Sequence, residues 1–171
     1  MKRSALHRFC LLALGVVVLS CGCAKKQPPA DDTTSLDRVV KQPTPAPQPV
    51  IHKTFVLQGY EKFPLEVPPN CLTPRLQGHF RSFRYGADGK RSSDDAAKID
   101  VMLLDEQELE DFVQGDGGTV SASAQGAFEQ KIEWALRSTF SKPEKYYLVF
   151  NNATGKPKSK IVEADFTLSF E

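Results

Sequence analysis

The last clear run of the chain constrains the fold more than any other stretch. Val162, Ala164, Phe166, Leu168 and Phe170 alternate with Glu163, Asp165, Thr167 and Ser169. In an extended chain successive side chains point to opposite faces, so this period of two sets an apolar face on a core and a polar face in water. Upstream, Tyr146-Tyr147-Leu148-Val149-Phe150 is apolar at every position, as expected of a central strand covered on both sides. Asn151-Asn152 and Gly155-Lys156-Pro157 supply the loop between these runs. Ile99, Val101 and Leu103 form a third alternating run. Leu76, Gly78 and Phe80 start in phase, and Phe83 and Tyr85 then fall out of phase by one, which predicts a bulge near Arg81-Ser82.

One short helix interrupts the pattern. Asp105 caps it, Glu108 stands three residues on, Leu109, Phe112 and Val113 share a face, and Gly115 ends it. The stretch 125–140 reads two ways, since Ile132, Trp134 and Leu136 alternate while Phe128, Ile132 and Leu136 keep helical spacing. Strand is the better reading for Lys131 to Arg137, because the run from Tyr146 to Phe150 needs a neighbour and Ser141-Lys142-Pro143-Glu144 reads as a turn. Short strands separated by turns predict an all-β, antiparallel, jelly-roll-like β-sandwich over 51–171, with one short helix.

In order along the chain, Leu76-Gln-Gly78-His-Phe80, Ile99-Asp-Val101, the acidic segment ending Phe112-Val-Gln-Gly115, Tyr146-Tyr-Leu-Val-Phe150-Asn151 and Lys160-Ile-Val162 resemble a Golgi-dynamics (GOLD)-type sandwich. The resemblance runs from Phe55 to Phe170. Pro143-Glu144-Lys145 stands where a glycine usually precedes the tyrosines, and 86–97 is a polar insertion. The resemblance implies the sandwich fold and, less directly, a role in binding other proteins.

Ahead of the sandwich, 21–50 is rich in proline: Pro28, Pro29, Pro43, Pro45, Pro47 and Pro49. With few aromatic or branched side chains it buries too little apolar surface to offset its ordering entropy, and it reads as a disordered tether. In an extended polyproline form it reaches about 80 Å. Asp37 to Lys41 is the one place for a helical turn.

Residues 1–20 read as a signal peptide. Lys2, Arg3, His7 and Arg8 precede an apolar run from Phe9 to Leu19, far too short to cross about 30 Å of hydrocarbon. Val18-Leu19-Ser20-Cys21 resembles the lipobox of bacterial lipoproteins. A thiol is the side chain best suited to capture a lipid as a thioether, and several acyl chains together anchor stably without a spanning helix. The resemblance implies lipidation of Cys21, with cleavage before it. Cys23 lacks the aliphatic residue the pattern needs. In lipoproteins of the enteric type an aspartate after the cysteine favours the inner membrane, so with Gly22 there the resemblance implies the outer membrane, facing the periplasm.

The remaining chemistry is sparse. The chain holds 22 basic and 21 acidic side chains, and losing Lys2, Arg3 and Arg8 leaves the acids in excess, so the footprint of a nucleic-acid binder is missing. Lys156, Lys158 and Lys160 read as a solvated loop. His52 and His79 lie in separate strand-like contexts, and no nucleophile elbow, metalloprotease helix or phosphate loop is present, so no catalytic residue is named. Asp88, Asp94 and Asp95 lack the regular oxygen spacing of a strong calcium loop and read as solvated. Cys71 is expected to be free, and the Asn152-Ala153-Thr154 sequon is expected to be accidental. Neither metal nor cofactor is predicted.

The resulting expectation is a lipid-anchored envelope protein whose non-catalytic sandwich binds a protein or polymer of the envelope, with Trp134 the candidate for an exposed aromatic patch. The alternatives are an assembly accessory of an envelope complex and a hydrolase with a site dispersed over loops.

Overall fold

The computed structural model describes residues 44–116, 118–152 and 158–170. Cys21, Cys23, the signal peptide, the turn at 37–41 and Lys156 lie outside the described residues. Nine strands follow in order: β1 (Gln48–Leu57), β2 (Tyr60–Val67), β3 (Pro74–Tyr85), β4 (Arg91–Ser92), β5 (Ile99–Leu104), β6 (Ala122–Ala127), β7 (Glu129–Ala135), β8 (Glu144–Asn151) and β9 (Lys160–Phe170). Helix α1 (Glu106–Gln114) stands between β5 and β6, and a 3-10 turn at Asp95–Ala97 precedes β5. β1 takes in Gln48, Pro49 and Val50, so strand begins three residues ahead of Ile51 and inside the proline run.

All pairings are antiparallel. One sheet runs β1-β9-β3, with β7 on the free side of β3 and β4 at its end; the other runs β2-β8-β5-β6. Apart from the pairs β3-β4 and β5-β6, successive strands thus cross between sheets, and β1 pairs with β9. This is the interleaved order of a jelly roll, and the predicted antiparallel β-sandwich with one short helix is the observed fold. The crossings leave two distinct ends. The chain joins β1 at the end holding the loops 68–73 and 136–143, here called the near end. The loops 58–59 and 86–98, with Asn152, Lys158 and Ser159, gather at the far end, which β3, 12 residues long, sets about 35 Å away.

The alternation in β9 is realised: Val162, Ala164, Phe166, Leu168 and Phe170 are buried. Between the sheets, Phe150 is met edge-on by Phe55, Phe63, Phe80 and Phe166, with centroids 5.3, 5.8, 6.2 and 6.0 Å away. Gly78 lies where β3 passes closest to β9. A Cβ there would stand 2.2 Å from the Asp165 carbonyl oxygen and 2.7 Å from the Phe166 ring. Tyr147 and Val149 face the other way and are covered, with Met102 and Leu104, by Leu109 and Phe112 of α1. The helix is held by a reciprocal capping box between Asp105 and Glu108 and closed by Gly115 at φ 79°. Val113, assigned to the buried face, is 55% exposed; the apolar contacts of the helix on the sheet are made by Leu109 and Phe112.

Two further readings need correction. The phase slip at Arg81-Ser82 is no bulge, because β3 and β9 stay in register from Pro74 to Phe83. Ser82 continues the inward row, and Phe83 and Tyr85 are aromatic residues on the outer face. The actual register shifts lie at Pro49/Ile51 in β1 and at Ile99/Val101 opposite β6. Lys160 is not solvated. It is 1% exposed at the start of β9, its Nζ donates to the Lys98 carbonyl, and burial lowers its pKa.

Tyr146 gives the fold a pH signature. Its ring is buried, and its hydroxyl donates to Glu144 Oε2 at 2.7 Å. Burial first, and that bond second, push its pKa up to about 12. The unfolded chain releases this proton from about pH 10, while the folded one retains it, so the Tyr146 contribution to stability is level below pH 10 and is lost as pH rises towards 12. Melting temperatures measured from pH 9 to 12 should fall less steeply in Tyr146→Phe than in the parent; parallel curves refute the assignment.

Candidate binding site

At the far end, β3 runs on past its partner β9. Its last two residues turn into a hairpin with β4, pairing Arg84 with Ser92 and Tyr85 with Arg91. The loop is fixed by Gly86 N–H donating to Lys90 O at 2.9 Å, by Lys90 N–H donating to Asp88 Oδ1 at 3.2 Å, and by Gly89 at φ 73°. This extension raises Tyr85 above the sheet. Phe83, two residues earlier on the same face, is 2% exposed beneath the Arg91 guanidinium, which sits 4.1 Å from its ring centroid. Tyr85 stands edge-on to Phe83 at 5.8 Å, yet it is 56% exposed. Arg91 also pairs with Glu163 at 3.1 Å, and the Tyr85 side chain beside it, first among the causes, raises its pKa. The ring is therefore braced on one side and open on the other.

Tyr85 forms one side of a cleft of about 650 Å³. Val56 of β1 and Ile161 of β9, adjacent in register, contribute apolar surface, while Arg84, Ser92, Asp94, Lys158 and Ser159 contribute polar groups. Arg84 Nη2 reaches both oxygens of Asp94, at 3.2 and 3.4 Å. Ser92 Oγ donates to Asp94 Oδ2 and Ala96 N–H to Oδ1, both at 2.9 Å. The Ser92 bond foremost, then the Ala96 N–H and the Arg84 charge, lower the pKa of Asp94, so this carboxylate is ionised at neutral pH. Arg84 Nε is buried without a hydrogen-bond partner among the described residues, a penalty of about 1–3 kcal/mol.

The outer face of the first sheet holds a second hollow of about 520 Å³, bordered by Gln77, His79, Glu129, Lys131, Asp165 and Thr167. Here the structure brings together the two histidines that the sequence separates: His52 and His79 lie opposite Asp165 from its two neighbouring strands, and His52 Nδ1 is 3.0 Å from Asp165 Oδ2. Among the described residues no hydroxyl or thiol bonds to either ring, so this is a polar pair without a nucleophile. The surrounding charges are matched across strands, Arg75 with Glu133 at 2.9 Å and Arg81 with Glu129 at 2.8 Å. A face whose charges already satisfy one another has little left to offer a ligand.

The other residues singled out in the sequence are placed as follows. Trp134 is half-buried against the core opposite Leu76 and supplies no exposed patch; Tyr85 is the exposed aromatic that lines the cleft. Asp88, Asp94 and Asp95 turn to separate partners, Asp95 pairing with Lys98 at 2.8 Å, and no group of three metal-ligating side chains occurs among the described residues. Cys71 is free and buried. Asn152 Nδ2 donates to the carbonyls of Gln58 and Lys158 at 3.0 and 3.1 Å. The cleft had a trace in the sequence: the two aromatics that break the phase of β3 are the ones the far end uses.

No protein-family model and no curated protein matches this chain. Among solved structures it is similar to TmCBM61 in complex with beta-1,4-galactotriose, at 14% identity over 69% of each chain and a TM-score of 0.39. It is also similar to a mutant of Xylanase10C from Cellvibrio japonicus in complex with xylopentaose, at 12% identity over 68% of this chain and 22% of that one, TM-score 0.38. A third is the CBM36-1 domain of a multidomain xylanase from the hindgut metagenome of Trinervitermes trinervoides, at 7% identity over 71% of this chain and 89% of that one, TM-score 0.36. At these values the likeness concerns the β-sandwich alone.

Proposed function

We propose that this chain is a lipid-anchored bacterial envelope protein, attached through Cys21, whose sandwich binds a glycan strand of the envelope in the far-end cleft without cleaving it. The observation that carries the reading is the exposed Tyr85 ring beside the Arg84–Asp94–Ser92 cluster. Sugars present C–H faces, which pack on an aromatic ring, and a rim of hydroxyls, which bond planar ionic side chains. The cleft offers both within 650 Å³, a volume in the range of small-molecule sites. A protein-docking surface would call instead for a wider apolar patch.

The same lining supports binding over hydrolysis. Glycoside cleavage needs two carboxyl groups across the bond, one of them protonated. Among the described residues lining the cleft, Asp94 is the one carboxylate, and its pKa is lowered. Calorimetric titration with solubilised envelope glycans, xylo-oligosaccharides and galacto-oligosaccharides tests the proposal. Tyr85→Ala should weaken binding about tenfold, equivalent to about 1.4 kcal/mol, with the melting temperature nearly unchanged because the ring is exposed. Equal affinity of parent and variant, or binding by no glycan, overturns it.

A further inference from the structure

We infer that the near end of the sandwich is a membrane-docking surface that seats on anionic phospholipid headgroups. Two loops there are bonded into one unit. Asn70 N–H donates to Phe140 O and Thr139 N–H to Cys71 O, each at 2.7 Å, and Cys71 N–H donates to Thr139 Oγ1 at 3.1 Å. The Thr139 hydroxyl in turn donates to Pro68 O, and the Ser138 hydroxyl to Leu72 O. This bracing holds two large apolar side chains outward: Leu72 is 63% and Phe140 71% exposed. Nothing in the core requires them to point there.

The charge around them selects the occupant. Loops 68–73 and 136–143 contain no acidic residue, and they carry Arg137 and Lys142, both exposed. The third loop at this end does begin with acids, Asp105, Glu106 and Glu108, but it folds back as α1 over the second sheet. Apolar tips flanked by cations are the composition that sits at a bilayer interface, apolar groups below the headgroups and cations among the phosphates. The polypeptide path points the same way, because the segment carrying Cys21 joins β1 at this end. A contact of two side chains is weak from solution. A membrane-attached tether converts it into an intramolecular event at about millimolar effective concentration, and to that extent the inference rests on the anchored reading. Docked end-on, the molecule holds the Tyr85 cleft the full length of β3 from the surface, with the tether supplying slack and the sandwich supplying height.

The test uses the processed, lipidated chain in vesicles of phosphatidylcholine and phosphatidylglycerol, with Cys23→Ser; with Cys10 removed, Cys21 acylated and Cys71 buried, the introduced cysteine is the one reactive thiol. An environment-sensitive fluorophore is placed at Ser141→Cys beside the tips, or at Ala87→Cys at the far end. Docking predicts that aqueous iodide quenches the first probe several-fold less than the second. It further predicts that Leu72→Ser with Phe140→Ser, or vesicles of phosphatidylcholine alone, removes the protection. Equal quenching of the two probes, or protection that survives the double substitution, overturns the inference. The mass of the N-terminal peptide reports the anchor separately: an unmodified Cys21 sinks the anchored reading, while protection of the Ser141 probe on the Cys21→Ser variant, added to vesicles at lipid concentrations that match the tethered value of about a millimolar, still decides the docking.

Discussion

Phe150→Ala should destabilise the sandwich by about 3–5 kcal/mol, the largest loss expected of any single truncation. The ring is fully buried, and four other aromatic rings meet it edge-on, two from the first sheet's central strands, one from β1 and one from β2. Truncation removes the transfer energy of the ring and leaves a void that four bulky neighbours, each fixed on a different strand, are poorly placed to fill. Against a total stability of about 5–15 kcal/mol, this approaches unfolding near physiological temperature. Thermal and urea denaturation would register it, with the urea midpoint lowered and the slope unchanged. A loss below about 1.5 kcal/mol would mean that the rings close over the gap and that the cluster is not the keystone of the core.

The second large effect comes from adding a single methyl group. Gly78→Ala places a carbon 2.2 Å from the Asp165 carbonyl oxygen and 2.7 Å from the Phe166 Cα and ring. A side chain alone would swing aside, but the tightest contact is backbone in the middle of a sheet. The ladder between β3 and β9 has to give, at about 3 kcal/mol or more, the upper range for overpacking. Hydrogen exchange should show the loss concentrated in these two strands. Adding Phe166→Ala removes the ring but not the carbonyl, so the double variant should recover none of the stability; recovery would show that the ring, and not the backbone, enforces glycine.

These two residues also show how far the sequence can be read. The alternation in β9 and the doubly apolar β8 are legible because each follows from one strand's own burial, and the capping box of α1 is legible because it is local. β6, with the small residues Ala122-Ser123-Ala124-Gln125-Gly126-Ala127, carries no such signal. The pairing of β1 with β9 depends on residues more than a hundred positions apart, and no local pattern encodes it. The cleft was hidden for the same reason, since Val56, Tyr85, Asp94 and Ile161 meet only once the strands are ordered. The clue misjudged was physical: Phe83 and Tyr85 on an outer face look like a slipped register unless one knows that Arg91 roofs the first and braces the second.

The joining of first strand to last has a consequence for how such a molecule is made. β1 finds its ladder partner in β9, which is also a partner of β3. A ribosome releases the 11 residues of β9 after the other eight strands. Until then β1 has no ladder partner, β3 lacks one of its long neighbours, and the core around Phe150 stays open. Such long-range closure folds slowly. The sandwich therefore cannot lock into its final shape until β9 has joined β1 to β3.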